Sequence, residues 1–255
     1  MNNPKMILVK HTAEFARQAA DIFADTLRKK PDCLLGLATG TTPLPLYREL
    51  IARYRRGELD FSRARTANLD EYLGLAPNDV QSYSHFMNEN LFDHINIKRE
   101  NILLLNGMAK NAEAECRRYE NTIHDWGGVD LQLLGIGQNG HIGFNEPADA
   151  FILQTHLIKL AEDTRRANAK LFKALHEVPT QALTLGCGTI FAARKILLLA
   201  AGQNKAEILA RAFYGTVTPQ VPASLLQLHP DVTIIADEQA GEEIRKHLLL
   251  EDRAM

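Results

Sequence analysis

Short apolar runs of strand length recur along this chain, each ending in a polar or glycine-containing junction. They are Cys33–Ala38 (CLLGLA), Ile102–Leu105 (ILLL), Leu131–Ile136 (LQLLGI), Ile196–Ala201 (ILLLAA) and Val232–Ala236 (VTIIA). A run that is apolar on both faces suits a strand covered by helices on both sides. Amphipathic stretches lie between the runs. Phe15, Ala19, Ile22, Phe23 and Leu27 fall on one helical face, as do Tyr47, Leu50, Ile51 and Tyr54. Cys116, Tyr119, Ile123 and Trp126 form a third such face, and Ile208, Leu209, Ala212 and Phe213 a fourth. Strands alternating with helices predict an α/β fold with a mostly parallel sheet and right-handed crossovers. No linker, low-complexity segment or internal repeat interrupts the pattern, so residues 1–255 are expected to form a single domain.

Composition narrows the function classes. The 255 residues are 45% apolar and 24% charged, which suits a globular chain and disfavours disorder or a coiled coil. Lys and Arg number 29 against 31 Asp and Glu, a net charge of −2 that gives no support for a nucleic-acid surface. Cys33, Cys116 and Cys187 are widely spaced, against a disulfide framework or a zinc site. No apolar run reaches the roughly 18–20 residues of a membrane span. The start MNNPKMILVKHTAEF has too short an apolar stretch for a secretory signal. A cytoplasmic protein without membrane contact is the expectation.

In open α/β sheets ligands bind beyond the carboxyl ends of the strands, so the junctions carry the chemistry. After CLLGLA come Thr39, Gly40, Thr41, Thr42 and Pro43, then the amphipathic LPLYRELIARY. Free backbone N–H groups at a helix start suit a phosphate, although a plain threonine cap and tight turn would read the same way. No Walker A pattern is present. The second junction follows a predicted strand at Arg65–Leu69 and reads Asp70-Glu71-Tyr72. Paired acids there can supply a general base that takes a carbon-bound proton. A solvated acidic turn is the plain alternative, and a metal site with His85 as a further ligand is conceivable.

The third junction is GIGQNGHIGFNEP at 135–147. Residues 135–140 match GxGxxG after a strand, but the segment that follows has Gly143, Asn145 and Pro147 and no helical period. The match fails as a dinucleotide fingerprint. A glycine-built loop presenting His141 fits better, with Glu146 five residues on able to reach one imidazole nitrogen. The polar stretch Asp163–Lys170 predicts a helix start capped by Asp163 or Thr164, and Lys205 follows the strand ILLLAA. With the threonine loop these cations outline a phosphate pocket.

NLDEY at 68–72, GIGQNGHIGFNEP at 135–147, TGTTP at 39–43 and DTRRANAKLF at 163–172 resemble the glucosamine-6-phosphate deaminase family. SYSHFMNENLFDHI at 82–95 and PASLLQLHPDVTIIAD at 222–237 extend the likeness over about residues 7–240. The resemblance implies a Rossmann-like, doubly wound sheet with helices on both faces. It implies conversion of glucosamine 6-phosphate and water to fructose 6-phosphate and ammonia, with no metal or organic cofactor. Asp70 then resembles the enolisation base that moves the C2 proton to C1. His141 resembles the acid/base that opens the pyranose ring, with Glu146 polarising it. Asn139 stands where many members carry Asp; an amide orients a partner but relays no proton. Thr39, Gly40, Thr41 and Thr42 match the phosphate loop, where the family often has Gly at the position of Thr41. Lys205 matches a phosphate lysine, and Lys170 stands where many members have Arg, a point charge in place of a fork.

Thr155-His156-Leu157-Ile158 lacks the Arg-x-Lys pair with which hexameric members hold an activator. The implied partner is a small-molecule sugar phosphate, and the implied assembly a monomer or small homo-oligomer without that activation. Rival readings are a galactosamine-6-phosphate deaminase, a 6-phosphogluconolactonase-like hydrolase and a non-enzymatic sugar-phosphate sensor. A lactonase needs no C2 base, and a sensor need not keep Asp70, His141 and Glu146 together.

Overall fold

The structure is a computed structural model, and it describes residues 4–169, 172 and 174–247. The apolar runs become strands β2 (Leu34–Leu37), β5 (Ile102–Leu103), β6 (Leu131–Leu134), β9 (Ile196–Ala200) and β10 (Val232–Asp237). Strands β2, β6 and β9 bury every residue, so both faces of the sheet are covered. With β1 (Lys5–Val9) and β3 (Arg65–Asn68) they form a seven-stranded sheet in the order β1-β10-β9-β6-β2-β3-β5. Every paired neighbour in it is parallel. From β2 the chain builds outward through β3 and β5; from β6 it builds the other way through β9 and β10. The order reverses between β2 and β6, which is where such a sheet opens a crevice at its carboxyl edge.

The predicted helical faces fold as α1 (Thr12–Lys29), α2 (Leu44–Arg55), α4 (Ala112–Asp125) and α7 (Ala206–Tyr214). Helix α1 shows how pattern becomes packing: Phe15, Ala16, Ala19, Ala20, Phe23, Ala24 and Leu27 are its buried residues. Burying a phenylalanine there is worth about 1.5–3 kcal/mol. Helix α3 (Tyr83–Asn90) is capped by Ser82, whose hydroxyl accepts the His85 N–H at 3.0 Å. Among the described residues no helix is long and apolar enough to cross a membrane.

A second sheet was not legible in the pattern. Strands β4 (Asp70–Tyr72), β8 (Gln181–Thr184) and β7 (His156–Lys159) form an antiparallel sheet in that order. The fold is therefore mostly, and not wholly, parallel. Asp70-Glu71-Tyr72 is a buried strand rather than an acidic turn. The chain leaves β3 at Asn68 and enters β4 two residues later. Leu69 pins that step, its N–H donating to Leu37 O at 3.0 Å and its carbonyl accepting Leu185 N–H at 2.8 Å. A small cluster of Tyr72, Phe144, Leu160 and Ala182 packs beside the main core.

Candidate active site

Four adjacent strands, β9, β6, β2 and β3, end at one edge, and each delivers a predicted site residue there. After β2, Thr39–Thr42 leads into α2. The helix is capped by Pro43, and no threonine side chain caps it. Among the described residues the amides of Gly40, Thr41 and Thr42 donate to nothing, so a concentrated set of N–H donors stands open at a helix start. The end of β2 is held by Tyr47, whose hydroxyl donates to Ala38 O and accepts its N–H.

After β3, successive residues of β4 point to opposite faces, and this separates the two acids. Glu71 turns toward α3, where its carboxylate accepts the N–H groups of Tyr72, Tyr83 and Ser84 at 2.8, 3.0 and 2.9 Å. It satisfies the start of that helix. Burial pushes it up to about 7, against the lowering by those donors. Asp70 faces the loop after β6: a Cβ built on Gly143 would lie 3.6 Å from its Oδ2. Burial, with the charge of Glu71 beside it, pushes Asp70 up to about 8. Tyr72 shares the Asp70 face and packs on Tyr83 and Phe144 at ring distances of 4.9 and 5.6 Å. Those rings exclude the water that would lower the carboxyl again. Burial raises the Tyr83 phenol well above the ordinary tyrosine value. His85, on α3, lies 3.9 Å from Glu89 instead of joining Asp70.

After β6 the chain stays a loop from 135 to 155, as a true dinucleotide turn would not. It is pinned to β8. Phe144 N–H donates to Thr184 Oγ1 at 3.0 Å, and the Asn145 amide donates to Ile142 O and Leu185 O at 2.9 and 2.8 Å. Inside the loop Glu146 Oε2 lies 3.5 Å from His141 Nδ1. Asn139 donates to the same oxygen at 2.6 Å and accepts the His141 backbone N–H at 3.2 Å. Asn139 thus orients His141 through its backbone and through Glu146, not through the ring. Burial alone would raise Glu146; the imidazole of His141 outweighs it together with donors from Thr164 and Asn139, and the carboxyl sits below its ordinary value. Among the described residues Nδ1 is buried without a hydrogen-bond partner, and the carboxylate 3.5 Å away favours a proton on it by charge, which leaves Nε2 as a base.

Gly137 is required by this arrangement. A Cβ there would fall 2.3 Å from His141 Nδ1 and Cε1. We predict that Gly137→Ala displaces the imidazole and lowers turnover by about 10²-fold, with an unchanged far-ultraviolet circular dichroism spectrum. A variant within twofold of the parent would show that His141 does not need this position.

Lys205, just before α7, donates from Nζ to Ile136 O at 2.7 Å. It reaches the same loop, and burial lowers it from the ordinary lysine value. Among the described residues no carboxylate lies within 4.0 Å of it. Lys170 lies outside the described residues. Arg165 is turned away from the crevice, toward Leu175 O and Val178 O at 3.1 Å each, and Arg166 pairs with Glu162. Helix α5 (Glu162–Asn168) is capped by Ala161, not by Asp163 or Thr164. Thr164 instead donates to Glu146 Oε1 at 2.5 Å, and Asn168 donates to the Tyr72 hydroxyl at 2.9 Å. These two side chains were not foreseen as site residues. Their spacing of four on one helix was the available signal.

The family model described as glucosamine-6-phosphate isomerases/6-phosphogluconolactonase matches residues 9–235. The chain belongs to this isomerase/lactonase family. It is 51% identical over 240 residues to a glucosamine-6-phosphate deaminase of Thermoanaerobacter pseudethanolicus, covering 94% of this chain and 95% of the relative. It is 52% identical over 231 residues to one of Lachnoclostridium phytofermentans, covering 91% and 98%. The solved structure of a monomeric glucosamine-6-phosphate deaminase superposes with a TM-score of 0.91 at 46% identity, covering 94% of this chain and 99% of that one. A 6-phosphogluconolactonase from Thermotoga maritima superposes with a TM-score of 0.73 at 20% identity, a likeness of fold. Within the isomerase/lactonase family, the full-length identity lies on the deaminase side.

Proposed function

We propose that this chain converts glucosamine 6-phosphate and water to fructose 6-phosphate and ammonia. The observation that carries the reading is two separate proton-handling groups at one sheet edge. One is the Glu146–His141 pair at 3.5 Å; the other is the buried Asp70. Isomerisation of a cyclic amino sugar needs both. His141 Nε2 takes the proton from O1 and returns one to O5, so the ring bond breaks and an aldehyde forms. Asp70 takes the proton from C2 and delivers it to C1, while a proton passes from the substrate's ammonium to O1, so that C1 becomes a hydroxymethyl group and C2 an iminium. Water adds to that carbon, and ammonia departs. A lactone hydrolysis would leave Asp70 without a task. The described residues act as one unit in this reading, since the site draws on both sheets.

The phosphate is held by the open amides of residues 40–42, the hydroxyls of Thr39, Thr41 and Thr42, and Lys205, with Lys170 as a further cation. Lys205→Met is expected to raise KM at least about tenfold with a smaller change in kcat, since a charge-assisted bond is worth about 1.5–3 kcal/mol. An unchanged KM would remove Lys205 from the phosphate site.

The deciding assay is ammonia release from glucosamine 6-phosphate, with galactosamine 6-phosphate and 6-phosphogluconolactone beside it. Release from the first sugar supports the reading, and hydrolysis of the lactone alone would overturn it. Activation by N-acetylglucosamine 6-phosphate is not expected. Where hexameric members place an Arg-x-Lys pair, this chain has His156, lowered by burial and therefore neutral at pH 7, and the apolar Ile158. Velocity should be hyperbolic in substrate with or without that compound, as befits a monomer or small homo-oligomer; a sigmoidal curve made hyperbolic by it would contradict this.

A further inference from the structure

Helix α5 reaches the ring-opening pair directly through Glu146, and the Asp70 side of the crevice through Tyr72, without offering either a reacting atom. Thr164 and Asn168 are four residues apart and lie on one helical face. Buried Thr164 donates to Glu146 Oε1, the carboxylate oxygen that neither His141 nor Asn139 uses. Asn168 donates to the hydroxyl of Tyr72, which shares the strand face of Asp70. Tyr72 in turn packs on Tyr83 and Phe144. Arg165 fastens the helix from its other side through the carbonyls of Leu175 and Val178.

We propose that α5 is a clamp that sets the ring-opening pair and the proton-abstracting site in register, Thr164 positioning Glu146 and Asn168 positioning the Tyr72–Tyr83 wall beside Asp70. This rests on the deaminase reading for its kinetic consequences and on geometry alone for its structural ones. Both residues are positioning residues. Thr164 supplies one of three neighbours that keep Glu146 ionised, the others being His141 and Asn139. Without the hydroxyl, the carboxylate loses a donor and is free to turn from the imidazole. Asn168 holds the Tyr72 ring by its hydroxyl, and the ring keeps water from Asp70. Because both bonds come from one short helix, releasing either loosens the other.

The test uses Thr164→Val, Thr164→Ser, Asn168→Leu and the Val/Leu double variant in the full chain. In the free protein, the 13C-detected titration of the Glu146 carboxyl should move to higher pH in Thr164→Val and return in Thr164→Ser. With glucosamine 6-phosphate, Thr164→Val should lower kcat/KM roughly tenfold, and Asn168→Leu should slow exchange of the C2 proton with solvent by a similar factor. The double variant should lose less than the product of the two single losses. An unmoved Glu146 titration in Thr164→Val, or losses that multiply, would overturn the clamp. The titration needs no turnover, so an absence of ammonia release in the parent would refute the deaminase reading while the titration still decides the clamp.

Discussion

Asp70→Asn should reduce kcat for ammonia release from glucosamine 6-phosphate by about 10³–10⁴-fold, while substrate binding stays measurable by calorimetry. The side chains are nearly isosteric, and the amide carries no basic oxygen able to hold the C2 proton. The proposed phosphate-binding groups lie elsewhere, on the β2 loop and at Lys205, so affinity should survive. The pH dependence follows from the environment. A carboxyl pushed up to about 8 by burial is mostly protonated at neutral pH in the empty site. Its use as a base then requires deprotonation, so kcat/KM should climb about tenfold per pH unit below pH 8 and level above it. Turnover by Asp70→Asn within tenfold of the parent, or a pH profile flat from 6 to 8, would remove Asp70 from the base role.

The same residue couples function to stability. The folded-state value of about 8 lies above the ordinary 3.8. Between those two values the folded protein binds the proton that the unfolded chain has released. Stability therefore falls as pH rises through that window, by at most about 1.4 kcal/mol per unit. Asp70→Asn lacks this loss, and it also relieves the neighbouring Glu71 of a like charge. The melting temperature of the variant should thus exceed that of the parent more at pH 8 than at pH 5. A constant gap would mean that Asp70 is not desolvated as its surroundings require.

What the chain declared in advance follows from where each element sits. Strands β2, β6, β9 and β10 are covered on both faces, so they are written in apolar residues and stand out. Strand β4 is equally buried but carries two carboxylates, because one serves the crevice and the other a helix start. No propensity argument turns Asp-Glu-Tyr into a buried strand; only the approach of β8 and α3 does. His156–Lys159 alternates between half-buried and exposed and carries a histidine and a lysine, which hides β7. At the site, His141 and Glu146 were visible because four glycines leave few other reasons for such a loop. Thr164 was misread for an equally physical reason: a threonine near a helix start is by default its cap, and only the tertiary neighbour Glu146 claims it.

The second large effect is expected at His141. Glutamine in its place keeps a hydrogen-bonding group of similar reach, but it cannot carry a proton between two sugar oxygens. His141→Gln should lower kcat/KM for the cyclic substrate by about 10²–10³-fold. The loss should not extend to the later steps, because Asp70 is held by β4 and β8, which do not depend on the imidazole. An open-chain substrate analogue should therefore retain most of its C2-proton exchange in this variant, and the ratio of open-chain to cyclic reactivity should rise. Glu146→Gln should move the ratio the same way by a smaller factor, since the imidazole remains while the carboxylate that favours its Nδ1–H tautomer is lost. Equal losses on both substrates would place His141 in the enolisation step, and the two proton-handling groups would then have to be one. Rescue of His141→Gln by open-chain substrate, with none for Asp70→Asn, would establish that this edge of the sheet holds two chemically distinct proton-transfer groups.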